Sequence, residues 1–175
     1  PAGAVRVTVL DRNPRCGKKL LATGNGRCNL SNTGIAPACY FTETKGAGPL
    51  LNAVNTAAPL EWFRALGLYT RTDEAGRVYP YSNQAADVLA LLEATWPGLG
   101  VEVRTGCTVN TLSQTGRYAI FFDSAERSNE TLHADAVICA MGGNAGPQFG
   151  TDGFGTRFAA QCGGKLEPLT LLTAL

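Results

Sequence analysis

Glycine is unevenly placed in this chain, and that placement restricts the folds open to it. The 21 glycines gather at 24–26, 142–146 and 150–155. Clustered glycine marks backbone in conformations other residues avoid, or backbone that a ligand approaches closely. The second cluster follows the apolar run Val137-Ile138-Cys139-Ala140-Met141. A buried strand that delivers glycines at its carboxyl end is the ligand edge of an open α/β sheet.

The remaining pattern agrees with an α/β chain. Val5–Leu10 reads as a short β-branched strand ending at Asp11, and Lys18–Ala22 as a helical turn. Thr23–Asn32 has neither helical nor strand period and reads as an ordered loop. Helices are expected over Leu50–Thr56 and Pro59–Leu66, with Gly67 as a stop. Leu68–Thr72 and Arg77–Tyr79 read as a small hairpin. A helix capped by Ser82 or Asn83 should run to about Trp96, where Pro97 and Gly98 end it. Val101–Arg104 is a strand after a helix, the order of a parallel sheet. Three strands at about 107–113, 117–123 and 130–133 form a β-meander. Asp135–Met141 reads as a buried strand, expected to pair in parallel with Val5–Leu10 and Val101–Arg104. Phe154–Cys162 reads as a helix.

Composition narrows the function. With 45% hydrophobic and 17% charged residues, 175 residues can bury a core as one domain or one large fragment. A net charge of +1 excludes a broad electrostatic footprint for nucleic acid. No apolar run approaches the roughly 20 residues that span a bilayer. Pro1–Leu10 lacks the pattern of a signal peptide, and no initiator Met is present, so a trimmed or excised chain is expected. Six cysteines occupy 16, 28, 39, 107, 139 and 162 without a C-x-x-C pair, and His133 is the single histidine. No metal site is expected. Reduced thiols in a cytoplasmic protein fit better than a disulfide framework.

Several groups carry chemistry. Asp11, an acid at a strand's carboxyl end, suits ribose hydroxyls or simply caps a turn. Gly24, Asn25, Gly26, Arg27 and Cys28 make a loop whose amides suit a flat or anionic ligand. Arg27 suits phosphate or a flavin carbonyl, and Cys28 is either a redox thiol or a packed side chain. Gly142 and Gly143 let backbone approach a ligand. Asp152, before Gly153, caps the following helix or sits beside a pyrophosphate. Arg77 and Tyr79 line a pocket, or stand as a solvated Arg and a packed Tyr. His133 reads as a surface residue.

Taken together, Leu10-Asp11-Arg12-Asn13-Pro14, Gly17-Lys18-Lys19-Leu20-Leu21-Ala22-Thr23-Gly24-Asn25-Gly26-Arg27-Cys28-Asn29, Gly76–Pro80, Ala140–Gly143 and Gly150–Gly155 resemble the aminoacetone-oxidase-like FAD-binding flavoproteins. That bacterial family includes oxidoreductases linked to bile-acid dehydroxylation. The resemblance covers nearly the whole chain. Asp11 stands where Glu is usual, and Asn25 and Met141 where Gly and Thr are common. The implied fold is a Rossmann-like parallel sheet with an antiparallel β-meander, incomplete. Residues 1–175 would be a partial first segment of the FAD domain, without its opening strand and glycine-rich loop, with the meander at 107–133. Residues 165–175 would begin an inserted domain.

The resemblance implies FAD as cofactor, held by Asp11, Lys19, Gly24, Asn25, Gly26, Arg27, Cys28, Asn29, Gly142, Gly143, Asp152 and Gly153. The implied parent is a flavin-dependent oxidoreductase acting on a small organic substrate, with neither nucleic acid nor membrane as partner. The 175-residue chain alone is expected to be inactive, to hold FAD poorly and to self-associate through exposed apolar surface. A non-catalytic flavoprotein-like module and a flavin-dependent RNA-modifying enzyme are the alternatives. No side chain stands out as a catalytic acid or base.

Overall fold

A computed structural model describes residues 5–39, 57–143 and 146–161. The expected helix at Leu50–Thr56 and the segment 165–175 lie outside the described residues. The chain divides into two compact units, Pro1–Val7 with Gly17–Glu102 and Thr8–Cys16 with Val103–Leu175.

In the first unit, α1 (Lys18–Ala22) is a single turn. It stops at Thr23, whose hydroxyl donates to the Leu20 carbonyl at 2.6 Å and occupies an acceptor the next turn would have used. Three strands, β2 (Ser31–Asn32), β3 (Thr70–Thr72) and β4 (Arg77–Pro80), form an antiparallel sheet in the order β2-β4-β3. The loop expected through Asn32 therefore ends two residues early, because Ser31 and Asn32 find the open edge of β4 opposite Val78 and Arg77. Asp73 shapes the β3–β4 turn. Its carboxylate accepts from the Ala75 and Arg77 amides at 3.0 and 2.9 Å and from Arg77 Nε at 2.8 Å.

Helix α2 (Ala57–Ala65) matches the expected second helix within two residues. Helix α3 (Ala85–Thr95) is built from strong helix formers and buries Ala85, Val88 and Leu89. Neither Ser82 nor Asn83 caps it, contrary to expectation. Gln84 precedes the helix without a side-chain cap, and the Ala85 amide instead donates 2.8 Å to the Gly26 carbonyl. The glycine loop thus satisfies one of the free amides at the start of the helix. Cys28, Leu68, Ala85 and Val88 form the core, flanked by Leu20, Leu21, Leu30, Phe63, Leu91 and Leu92.

Strand β1 (Val7–Asp11), most of which lies in the second unit, pairs in parallel with β5 (Val101–Thr105). The meander follows as β6 (Thr108–Thr115), β7 (Arg117–Asp123) and β8 (Glu130–Ala134), antiparallel and in sequence order. Alternation decides which face is buried: Ile120 and Phe122 point inward and Phe121 points out. A bulge lies between Val109 and Thr111, where Asn110 Nδ2 donates 2.8 Å to Asp123. Cys107, Leu112, Ile120 and Phe122 form the core, with Leu10, Val109, Leu132, Val137, Phe154 and Phe158 packed against them. Helix α4 (Phe154–Gln161) supplies the last two.

The expected strand at Asp135–Ala140 is not formed. These residues run as irregular chain after β8, and Ile138 is 91% exposed. An apolar run becomes a strand only when a neighbouring edge takes its backbone groups. Among the described residues no strand pairs with this one. The two-stranded sheet therefore contains only the first two of the three strands expected in it.

Phe122 is 1% exposed at the centre of the second core. Phe122→Ala should cost about 3–5 kcal/mol, the range for deleting a buried aromatic ring. Urea unfolding followed by fluorescence checks this, and a loss below about 1 kcal/mol would show that the core does not close around the ring.

Candidate functional site

The site residues read from sequence fall into two groups, one in each unit. In the second unit the organising group is Asp11, half-buried at the carboxyl end of β1. Its Oδ1 accepts from the Asn13 amide at 2.9 Å and from Asn13 Nδ2 at 3.0 Å. This is the local turn that an Asp makes with the residue two positions on. Both bonds fall on one oxygen, and no donor reaches Oδ2 among the described residues. Asn13 Nδ2 also donates to the Phe149 carbonyl at 3.3 Å.

Gly150 takes a left-handed φ of 89° beside this turn. A Cβ there would lie 2.8 Å from Asn13 Oδ1, so no larger residue fits without displacing the amide. From Gly150 the chain reaches Thr151, whose hydroxyl donates to the Gly143 carbonyl and whose methyl packs beside Gly142. Asp11 is thus joined to Gly142 and Gly143 through Asn13, Gly150 and Thr151. Cys139, Met141, Gly142, Gly143, Gly155 and Thr156 line an open cleft of about 450 Å³.

Asp152 does what an N-cap does. Its Oδ1 accepts from the Phe154 amide at 2.9 Å, and its Oδ2 pairs with Arg12 at 3.0 Å. Arg157 stands 3.7 Å from Oδ1 and donates to the Asp152 backbone carbonyl. The Phe154 amide first, then Arg12 and Arg157, hold this carboxyl below its ordinary 3.8. Gly153 is buried at the start of α4. Cys107 offers no ready nucleophile, because burial first and the Glu130 carboxylate second push its thiol up.

In the first unit, the loop after α1 is tightly wound. Gly24, Asn25, Gly26 and Cys28 have φ of 56°, 55°, 81° and 58°. The amides of Gly26 and Cys28 donate to the Thr23 carbonyl, and that of Arg27 to the Gly24 carbonyl. Those three amides are spent inside the loop and do not face a ligand, which corrects the expectation of an amide-lined surface. The loop displays Arg27 instead. Its guanidinium lies 4.5 Å over the Tyr79 ring and its Nε donates 3.1 Å to the Gly24 carbonyl, leaving both Nη groups open among the described residues.

Cys28 points into the first core, 4% exposed, and there behaves as a packed side chain. Asn25 and Asn29 are exposed on the loop, and Lys19 is exposed on α1. Arg77 is held by Asp73, Tyr79 is packed beneath Gly24 and Arg27, and His133 is exposed on β8. Asn13 and Thr151 are site residues beyond those expected from the sequence. The i to i+2 spacing of Asp11 and Asn13 was a usable signal for the first, whereas Thr151 carries no local mark.

An acid at the end of the first strand, a parallel strand pair and a glycine-backed cleft are the features of a dinucleotide-type α/β fold. Comparison with known proteins agrees. Residues 2–171 match the family model described as HI0933-like protein Rossmann domain, and the chain belongs to that family. It is 38% identical over 168 residues to 3-dehydro-bile acid delta(4,6)-reductase of Clostridium scindens, a match over 95% of this chain and 40% of the relative. The chain thus spans well under half the length of that relative. The crystal structure of Thermovibrio ammonificans THI4 superposes with a TM-score of 0.52 at 15% identity, over 91% of this chain and 54% of that one, a likeness of fold. The family resemblance drawn from the motifs is borne out. No helix of the described residues is long and apolar enough to cross a membrane.

Two substitutions test this geometry. Gly24 has a positive φ, and a Cβ there would lie 2.8 Å from the Asn29 backbone nitrogen. Gly24→Ala should therefore destabilise the protein by about 1–3 kcal/mol in chemical denaturation. Asp152 has a lowered pKa in the fold, so the stability it contributes is present above 3.8 and fades as pH falls through its folded value. Asp152→Asn should be less stable than the unsubstituted protein at neutral pH. Thermal unfolding across pH should show that gap closing below 3.8; a gap constant with pH would argue against the Arg12 and Phe154 contacts.

Proposed function

We propose that this chain is the FAD-holding part of a flavin-dependent oxidoreductase. The observation that carries the reading is Asp11, fixed at the end of β1 by Asn13 with Oδ2 open. A carboxylate oxygen so placed accepts hydrogen bonds from the vicinal hydroxyls of the adenosine ribose. The donor set of the second unit fits the cofactor in one further respect. The backbone at Gly142 and Gly143 is exposed beside a cleft and carries no side chains to obstruct a planar group. In the first unit, Arg27, stacked on Tyr79, is assigned to a phosphate or a flavin carbonyl on the resemblance alone. Bound flavin supplies the hydride or electron-pair chemistry. The chain's own residues bind and orient.

The substrate is a small organic molecule. The named activity of the Clostridium scindens relative, a reductase acting on a 3-dehydro-bile acid, supports an oxidoreductase reading. Lys19, Asn25 and Asn29 are assigned to the cofactor's surroundings on the resemblance alone. Asp152 and Gly153 contribute through the start of α4. Cys28 supports the loop from its buried side.

Titrating the full-length protein with FAD, followed by flavin fluorescence, tests the reading directly. Saturable one-to-one binding is expected, and no binding would overturn it. Asp11→Ala removes a charge-assisted hydrogen bond worth ~1.5–3 kcal/mol, so FAD affinity should fall roughly tenfold to a hundredfold. An unchanged affinity would remove Asp11 from the site.

A further inference from the structure

Asp11 has no cationic partner among the described residues. Arg12, its neighbour, is turned to Asp152 at 3.0 Å. What holds the Asp11 carboxylate is Asn13, whose backbone amide, side-chain nitrogen and backbone carbonyl are all engaged in the same turn or against it. Its backbone amide and Nδ2 both donate to Asp11 Oδ1, at 2.9 and 3.0 Å. Nδ2 donates as well to the Phe149 carbonyl at 3.3 Å. Its backbone carbonyl accepts from the Gly106 amide at 2.9 Å. Gly150 leaves room for the amide oxygen, which a Cβ would meet at 2.8 Å.

This arrangement asks for a primary amide. Two N–H groups on one nitrogen satisfy a carboxylate and a carbonyl together, without adding charge. An aspartate at 13 would set two carboxylates side by side, and an alanine would leave Asp11 Oδ1 with one donor. By fixing Oδ1, Asn13 also fixes the rotation of the whole carboxylate and hence the direction of Oδ2.

We infer that Asn13 is a positioning residue: it aims Asp11 Oδ2 at the adenosine ribose and so sets the preference for FAD over FMN. The inference rests on the FAD reading above. FMN lacks adenosine, so an interaction directed at that ribose contributes nothing to its binding. A residue that acts through Asp11 must also lose its effect when Asp11 is gone, whereas one that merely supports the fold keeps it.

The experiment is a double-mutant cycle on the full-length protein, with FAD and FMN as the two probes in calorimetric or fluorescence titration. Asn13→Ala should weaken FAD by about tenfold with Asp11 present and by less than about twofold in the Asp11→Ala background. FMN affinity should stay within about twofold throughout. Equal FAD losses in both backgrounds, a parallel fall for FMN, or unchanged FAD affinity in Asn13→Ala would each overturn the inference. If Asn13→Ala does not fold, the isosteric Asn13→Asp is put through the same cycle with the same expectations. Failure of the underlying reading looks different: the unsubstituted protein would not bind FAD, or Asp11→Ala alone would leave FAD affinity unchanged. FAD binding lost in Asp11→Ala but intact in Asn13→Ala overturns this inference and leaves the FAD reading standing.

Discussion

Where β1 ends, its backbone must still place its hydrogen-bonding groups, and the second unit is arranged around how it does so. The Asp11 carbonyl accepts from the Cys107 amide and the Asn13 carbonyl from the Gly106 amide, each at 2.9 Å. Those two bonds fix the chain between β5 and β6, so the meander starts from a set position and Cys107 enters the core. An unpaired buried carbonyl would cost about as much as a lost hydrogen bond, so the turn is not free to drift. The side chains of the same three residues then reach the other way, Arg12 to Asp152 and Asn13 to Phe149. Backbone and side chains of residues 11–13 thus tie the first strand to both the meander and the helix α4 region.

Much of this architecture was legible where local signals decide it. The turn at α1, helix α3, the β3–β4 hairpin and the meander all lie within a few residues of where periodicity and turn residues put them. Their determinants are short-range: a Pro, a Gly, or an alternation of Ile120, Phe121 and Phe122. Asp135–Ala140 shows the opposite case. Its apolar residues suit a strand, but a strand also needs a partner edge, and composition within a segment says nothing of what lies beside it.

The site divides along the same line. Asp11 was legible from its position at a strand end, and Arg27 from its place in a polar glycine loop. The orientation of the Arg27 amide was not, because hydrogen bonds from 26, 27 and 28 back to 23 and 24 depend on a run of positive φ values. Nor was the role of Tyr79, which sits beneath a loop about fifty positions earlier in the chain. Asp152 could be read equally as a cap or a cofactor contact, and its bonds to Arg12 and Phe154 show the capping role. Contacts between residues far apart in sequence leave no local mark.

The bond from the Ala85 amide to the Gly26 carbonyl makes the glycine loop and the start of α3 one cooperative element. Irregular loops ordinarily occupy the low-stability end of a protein's opening spectrum. This one cannot open without leaving a helix end unsatisfied and lifting Cys28 out of the core. Its amides are therefore expected to exchange deuterium together with those at the start of α3. Arg27 therefore sits between two anchors, the Gly26–Ala85 bond and the buried Cys28 side chain, although its backbone is nowhere helical.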